Sequence, residues 1–188
     1  MAGLSALFAL DAFAGGFVVN ALVAYWFSVR WGLDTASLGV LFFWVGVVTS
    51  GSFLAAGWLA SRIGLLNTMV VTHLPSNVLL MLVPLAPTAW FAVGLFIARM
   101  SISQMDVPTR QSYTMAVVDP DERTATAGIT NVARTTAAAV SPALAGWAFS
   151  VAALGVPFFV AGALKIAYDL TIFATFRRVH PPEEQHAR

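Results

Sequence analysis

The sequence predicts an all-α membrane protein with six transmembrane helices. Three observations carry that reading. First, 59% of the 188 residues are hydrophobic and the mean hydropathy is +0.79. Second, only 10% are charged, against roughly 25% in an ordinary soluble domain, which leaves too few polar side chains to clothe a surface in water. Third, polar punctuation divides the chain into six apolar stretches, each near the ~20 residues that a spanning helix needs. This composition excludes a cytosolic enzyme, a disordered tail and a nucleic-acid binder with a basic face. A net charge of +1 calls for no polyanionic partner, and the absence of cysteine removes disulfides, thiolate nucleophiles and cysteine metal sites. Met1-Ala2-Gly3-Leu4 lacks the basic stretch of a cleavable signal peptide, so the first helix reads as a retained span.

Each stretch has its own boundaries. The first covers residues 4–28 and stops at Arg30-Trp31-Gly32-Leu33-Asp34. The second covers 36–60 and ends at Ser61-Arg62-Ile63-Gly64, and the third covers 68–85 and closes on Pro84 and Pro87. The fourth covers 89–118. The fifth, reaching Val151, follows Asp119-Pro120-Asp121-Glu122-Arg123. There Asp119 suits the N-cap, Pro120 the first helical position and Glu122 the third, with acids at the positive helix end. The sixth covers 156–176, giving a transmembrane domain over 1–178 and a polar tail over 179–188. Six spans place both termini on one side. The loops on that side hold Arg62 and Arg123 and the tail adds Arg177, Arg178 and Arg188, whereas the opposite loops hold only Arg30. The positive-inside rule then makes the termini and the tail cytoplasmic. Trp31 and Trp90 fall at the opposite interface, which suits amphipathic rings, although lipid-facing bulk explains them equally well.

Seven ionisable residues fall inside the stretches: Asp11, Arg99, Asp106, Arg110, Arg134, Lys165 and Asp169. Each costs about 2.5–3.5 kcal/mol at a helix centre on insertion scales. They must pair or line a wet cavity. At 100° per residue, Arg99, Ser103, Asp106, Arg110 and Tyr113 share one face of the fourth stretch. Asp106 and Arg110 are four apart and can meet. Pro108 should leave the Gln104 carbonyl without its helical donor. Such a stripe suits a helix beside an aqueous cavity; a purely structural ion-pair stripe is the alternative. Lys165 and Asp169, also four apart, are expected to form a structural or gating ion pair. Asp11 and Arg134 lack partners on their own helices and lie at similar depths, so Asp11 is expected to reach Arg134 or Arg110. Asn20 lies about 180° from Asp11 on an ideal helix, which would make the first span polar on two sides. Asn131 and Thr135 share a face of the fifth span, and Pro142 should bend it. Gly15-Gly16, Gly51, Gly57, Ala137-Ala138-Ala139 and Gly146 are expected at close helix contacts. No glycine-rich phosphate loop and no metal cluster occurs, so no cofactor is expected.

Enzymatic chemistry finds no constellation. His73 and Asn77 have the H-x-x-x-N spacing of rhomboid proteases, but the G-x-S-G nucleophile turn fails because Val48 precedes Ser50-Gly51 by two positions. The remaining histidines, His180 and His186, lie in the tail. His73 therefore reads as a polar residue bonded to Asn77 or to a neighbouring helix, and the chain as no enzyme.

Gly57-Trp58-Leu59-Ala60-Ser61-Arg62-Ile63-Gly64 resembles the cytoplasmic loop signature of the major facilitator superfamily, G-x-L-a-D-R-x-G-R-R. Gly57, Leu59, Arg62 and Gly64 match, Ser61 replaces the acid, and Leu65-Leu66 replace the basic pair. Such decay looks like the second copy of the motif, in the C-terminal half of these transporters. The run from Pro108-Thr109-Arg110 to Pro120-Asp121-Glu122-Arg123-Thr124-Ala125 resembles the family's region around spans ten and eleven. The resemblance implies half of a twelve-helix fold, built as two inverted three-helix repeats. It implies a secondary transporter moving a small solute by alternating access, coupled to protons or another ion. Asp11 and Asp106 are the acids for coupling, with Asn20, Arg99, Ser103, Arg110 and Arg134 along the pathway. The implied partners are a small solute, protons, the lipid bilayer of the plasma membrane, and either a missing N-terminal half or a second copy in a homodimer. The chain is expected to be part of a longer reading frame; a genuine half-size transporter is the alternative. A packing or regulatory subunit without transport is the competing class.

Overall fold

The computed structural model describes residues 2–118, 121, 123–151 and 153–177. The capping arrangement expected at Asp119, Pro120 and Glu122, and the tail with Arg178, His180, His186 and Arg188, lie outside them. Among the described residues all regular structure is helical: α1 (Ala2–Gly16), α2 (Asn20–Trp31), α3 (Thr35–Ile63), α4 (Leu65–Leu82), a 3-10 turn (Val83–Leu85), α5 (Ala89–Ser103), α6 (Asp106–Val117), α7 (Arg123–Ser150) and α8 (Val156–Phe176). Among the described residues, four segments are long and apolar enough to cross a membrane: Ser5–Trp31, Thr35–Ile63, Leu65–Leu85 and Val156–Phe176. The fourth and fifth apolar stretches do not reach that standard. The fourth is split into α5 and α6, of 15 and 12 residues, each short of a bilayer. In the fifth, α7 is 28 residues long but dilutes its apolar side chains with threonine, Asn131 and Arg134.

Two of the expected helices are broken, each for a local reason. α1 ends at Gly15-Gly16, where glycine weakens a helix. Its last turn tightens through Phe17 N–H to Ala14 C=O (3.3 Å) and Val18 N–H to Gly15 C=O (3.1 Å). Val19 is extended, and α2 restarts at Asn20. The second break falls between Ser103 and Asp106, three residues before Pro108. The Gln104 carbonyl that Pro108 cannot serve is taken by the Val107 N–H at 3.3 Å, so the freed acceptor expected there is satisfied by a tighter turn. The loop expected between the second and third stretches shrinks to one residue: Gly64, at φ 85°, joins α3 directly to α4. A left-handed φ is what only glycine takes without strain.

α1 packs most extensively against α7 and also touches α8; α4 joins α8, α5 and α6, and α3 lies on α5. Two apolar clusters fill the bundle. Phe17, Val23, Trp26, Phe27, Phe96, Ala92, Leu80 and Phe158 belong to one, and Phe8, Leu66, Met69, Tyr113, Tyr168 and Ile172 to the other. Along α1, α4 and the α5–α6 pair, buried charges sit between the two. On α1, Asp11 separates Phe8 from Phe17; on α4, His73 and Asn77 separate Met69 from Leu80; along α5 and α6, Arg99 to Arg110 separate Phe96 from Tyr113. The chain therefore folds around a polar layer held between two greasy ones.

Small residues set the closest approaches. A Cβ on Gly16 would overlap the Ser141 hydroxyl and come within 2.9 Å of the Ala138 carbonyl, which locks α1 to α7. Gly162 does the same for α8 and α4, against Met81 and the Asn77 carbonyl, a contact that sequence reading overlooked. Gly51, Gly57 and Gly146 correct the expectation: a Cβ on any of them would meet nothing within 4 Å.

Candidate functional site

Asp11 is the centre of the polar layer. Its Oδ1 accepts from Lys165 Nζ of α8 at 2.5 Å, and its Oδ2 accepts from Arg110 of α6 at 2.9 Å. Arg134 of α7 stands 3.5 Å from Oδ2 and also donates to the Phe8 carbonyl at 3.3 Å. One carboxylate thus ties α1 to three other helices. Gly15 lies beside the Asp11–Lys165 pair: a Cβ there would be in ordinary contact with the Lys165 ammonium, at 3.9 Å. Arg110 also donates to Asp106 at 2.7 Å across one helical turn.

A second carboxylate, Asp169, accepts from His73 Nδ1 at 2.7 Å and from Asn77 Nδ2 at 2.9 Å. His73 Nε2 faces back toward Asp11 at 4.0 Å, so the imidazole stands between two acids. The expected Lys165–Asp169 pair is therefore split. Facing helices offered each member a better partner, Asp11 for Lys165 and His73 with Asn77 for Asp169. His73 and Asn77 escaped notice as site residues. The available signal was Thr72, His73, Ser76 and Asn77 recurring on one face of an otherwise apolar stretch.

The stripe expected on the fourth stretch holds in spite of the break: Arg99, Ser103, Asp106 and Arg110 are all buried. Two clefts meet at this layer. One, of about 270 Å³, is lined by both helix breaks (Gly15, Gly16 and Val19 on one side, Ser103 and Gln104 on the other) together with Asp11, Arg99 and Lys165. The other, of about 640 Å³, is lined by Phe8, Gln111, Thr114, Thr130 and Asn131. Arg110 and Arg134 line both. The pairs that join these arginines to Asp11 thus lie where the two clefts share a wall.

Asn20 is not part of this site. Because α1 stops at Gly16, helical phase does not carry from Asp11 to Asn20, which opens α2 on the exposed surface. The signature loop also lies apart: Arg62 is exposed and stacks on Trp58 at 5.1 Å, while Gly64 acts through its backbone.

The chain is similar to the uncharacterized membrane protein YJR124C of Saccharomyces cerevisiae, at 25% identity over 174 residues. That match takes in 92% of this chain but only 39% of the yeast protein. No family model matches the sequence and no solved structure matches it. With its apolar helices, this likeness makes the chain a helical integral membrane protein.

Proposed function

We propose that the chain is a six-helix half of a secondary transporter, resembling the C-terminal half of the major facilitator superfamily, which carries a small solute by alternating access. The observation that carries the reading is a buried charge layer standing between two clefts, one of them bordered by two broken helices. Discontinuous helices are how transporters expose backbone dipoles to a substrate at mid-membrane. In this reading the Asp11–Arg110 and Asp11–Arg134 pairs close the passage, and separating them joins the clefts. Protonation of Asp11 or Asp106 removes the charge that holds the arginines, which is a route to proton coupling. The termini face the cytoplasm of a plasma-membrane protein. The complementary half is either a further segment of a longer protein, as the greater length of the yeast relative suggests, or a second copy. α3 presents Phe43, Trp44, Leu54 and Trp58 outward for lipid or for that half.

One observation favours the competing reading of a packing subunit: most of the charges in the layer pair with one another. Reconstitution decides between them. Vesicles carrying the protein and an enclosed pH-sensitive dye are exposed to a panel of small solutes. Solute-driven proton movement that disappears in Asp11→Asn or Asp106→Asn is expected. Vesicles that pass neither protons nor any solute would leave the packing subunit as the better account.

A further inference from the structure

Arg99 differs from the other cations of the polar layer. Arg110 holds two carboxylates, Lys165 holds Asp11, and Arg134 has Asp11 and the Phe8 carbonyl. Arg99 is 7% exposed, and among the described residues no carboxylate lies within 4.0 Å of it. Its Nε has no partner. Its other contacts are weak: one guanidinium nitrogen 3.0 Å from the Met100 sulfur, and the Phe96 ring at 6.0 Å. Thioether sulfur is a poor acceptor, and a guanidinium is always charged. The acids that share its cleft bond to other cations, Asp11 through both oxygens to Lys165 and Arg110, and Asp106 through one oxygen to Arg110, its Oδ1 having no partner among the described residues. Counted over the layer, Arg99, Arg110, Arg134 and Lys165 face Asp11, Asp106 and Asp169, which leaves one positive charge over when His73 is neutral. A buried charge without an ion-pair partner in contact is among the costliest features of a folded protein, and more so within a membrane.

We propose that the cleft between the two helix breaks binds a small soluble anion through a carboxylate or phosphate group held by Arg99. The planar guanidinium fork matches such a group in two-point geometry. The cleft of about 270 Å³ is several times the roughly 30 Å³ share of one water, so it admits a small organic acid or phosphate ester. Ser103 and Gln104 line the same wall and add hydrogen-bonding side chains. This assignment rests on the transport reading for its claim that the anion is the solute carried; the binding itself is measured without transport.

The test uses the purified chain in neutral detergent, titrated with inorganic phosphate and with succinate at constant ionic strength, and with glucose as an uncharged control. Unfolding is followed by tryptophan fluorescence. A saturable rise in melting temperature with an anion and none with glucose is expected. Arg99→Gln should lose that rise, and Arg99→Lys should keep part of it. Without ligand, Arg99→Gln should melt no lower than the parent, because the charge it removes has no partner. Should that variant not fold, Ser103→Leu, which narrows the cleft and leaves Arg99 in place, should weaken the same response. An equal rise in Arg99→Gln, or no rise with either anion, would overturn the site. A rise produced by phosphatidylglycerol but by neither soluble anion would overturn the solute and assign the guanidinium to a lipid headgroup. Anion binding in a chain that transports nothing would remove the transport reading and leave the site. Transport by Arg99→Gln at the parental rate would overturn the claim that the bound anion is the solute carried.

Discussion

At the scale of single residues, Asp11 and Lys165 make a test of the polar layer. Asp11 compensates Lys165 fully and Arg110 and Arg134 in part. Asp11→Asn keeps the shape and removes the charge, stranding Lys165 without a partner; breaking one side of a buried pair costs about 3–5 kcal/mol. Lys165→Met should cost less, since Asp11 retains two arginines. The double variant should fall well short of the sum of the two, because contacting groups couple. Chemical unfolding of the three variants in detergent checks this, and strict additivity would mean that the pair contributes nothing. The histidine between Asp11 and Asp169 was legible only as a polar side chain. Its partners come from α1 and α8, and no spacing within α4 could have named them.

At the scale of elements, helix contacts and helix starts behave differently. Gly16 touches α7 where no side chain fits, so Gly16→Val should force α1 and α7 apart and lower the melting temperature clearly. Gly51→Ala, with open space around it, should stay within about 0.5 kcal/mol of the parent. Loss of equal size in both would mean that glycine matters here for the backbone and not for packing. At the start of α3, Asp34 accepts from the Ser37 N–H at 2.8 Å, and this bond holds its carboxyl below the ordinary value. A lowered carboxylate pKa stabilises the fold at pH values above the unfolded-state pKa and loses that effect as pH falls through the folded-state value. The melting difference between the parent and Asp34→Ala should therefore be present at neutral pH and fade in acid. A difference that grew as pH fell would contradict the cap. This cap was open to sequence reading as an aspartate ahead of a long apolar run, although the fourth stretch gave less away. Its stripe was legible, while the break at Gln104 depends on Val107 closing a turn that periodicity does not announce.

For the whole molecule, the two clefts give the clearest prediction. The chain has no cysteine, so single cysteines are unambiguous reporters. Ser103→Cys and Gln111→Cys, one in each cleft, should react with membrane-impermeant thiol reagents from opposite sides of a sealed vesicle. Met69→Cys, packed within an apolar cluster, should be protected. Labelling of both cleft positions from one side would remove the partition proposed at Arg110 and Arg134. Protection of both would favour a packed subunit without a pathway.

The amino-acid sequence by itself determined the membrane, the all-helical class and the fact that buried charges had to find partners. Those follow from local composition and from the price of charge in an apolar medium. It also drew Asp11 toward Arg110 and Arg134, because depth along a span can be counted in residues. Only the tertiary structure decided who pairs with whom. Lys165 and Asp169 are neighbours on α8, yet each is taken by a different helix. Asn20 is lost to the site by a helix break, and Arg99 is left without an ion pair among the described residues. Partner choice between helices depends on their rotation and closest approach, set by contacts such as Gly16 on Ser141 and Gly162 on Met81, and a one-dimensional pattern carries neither.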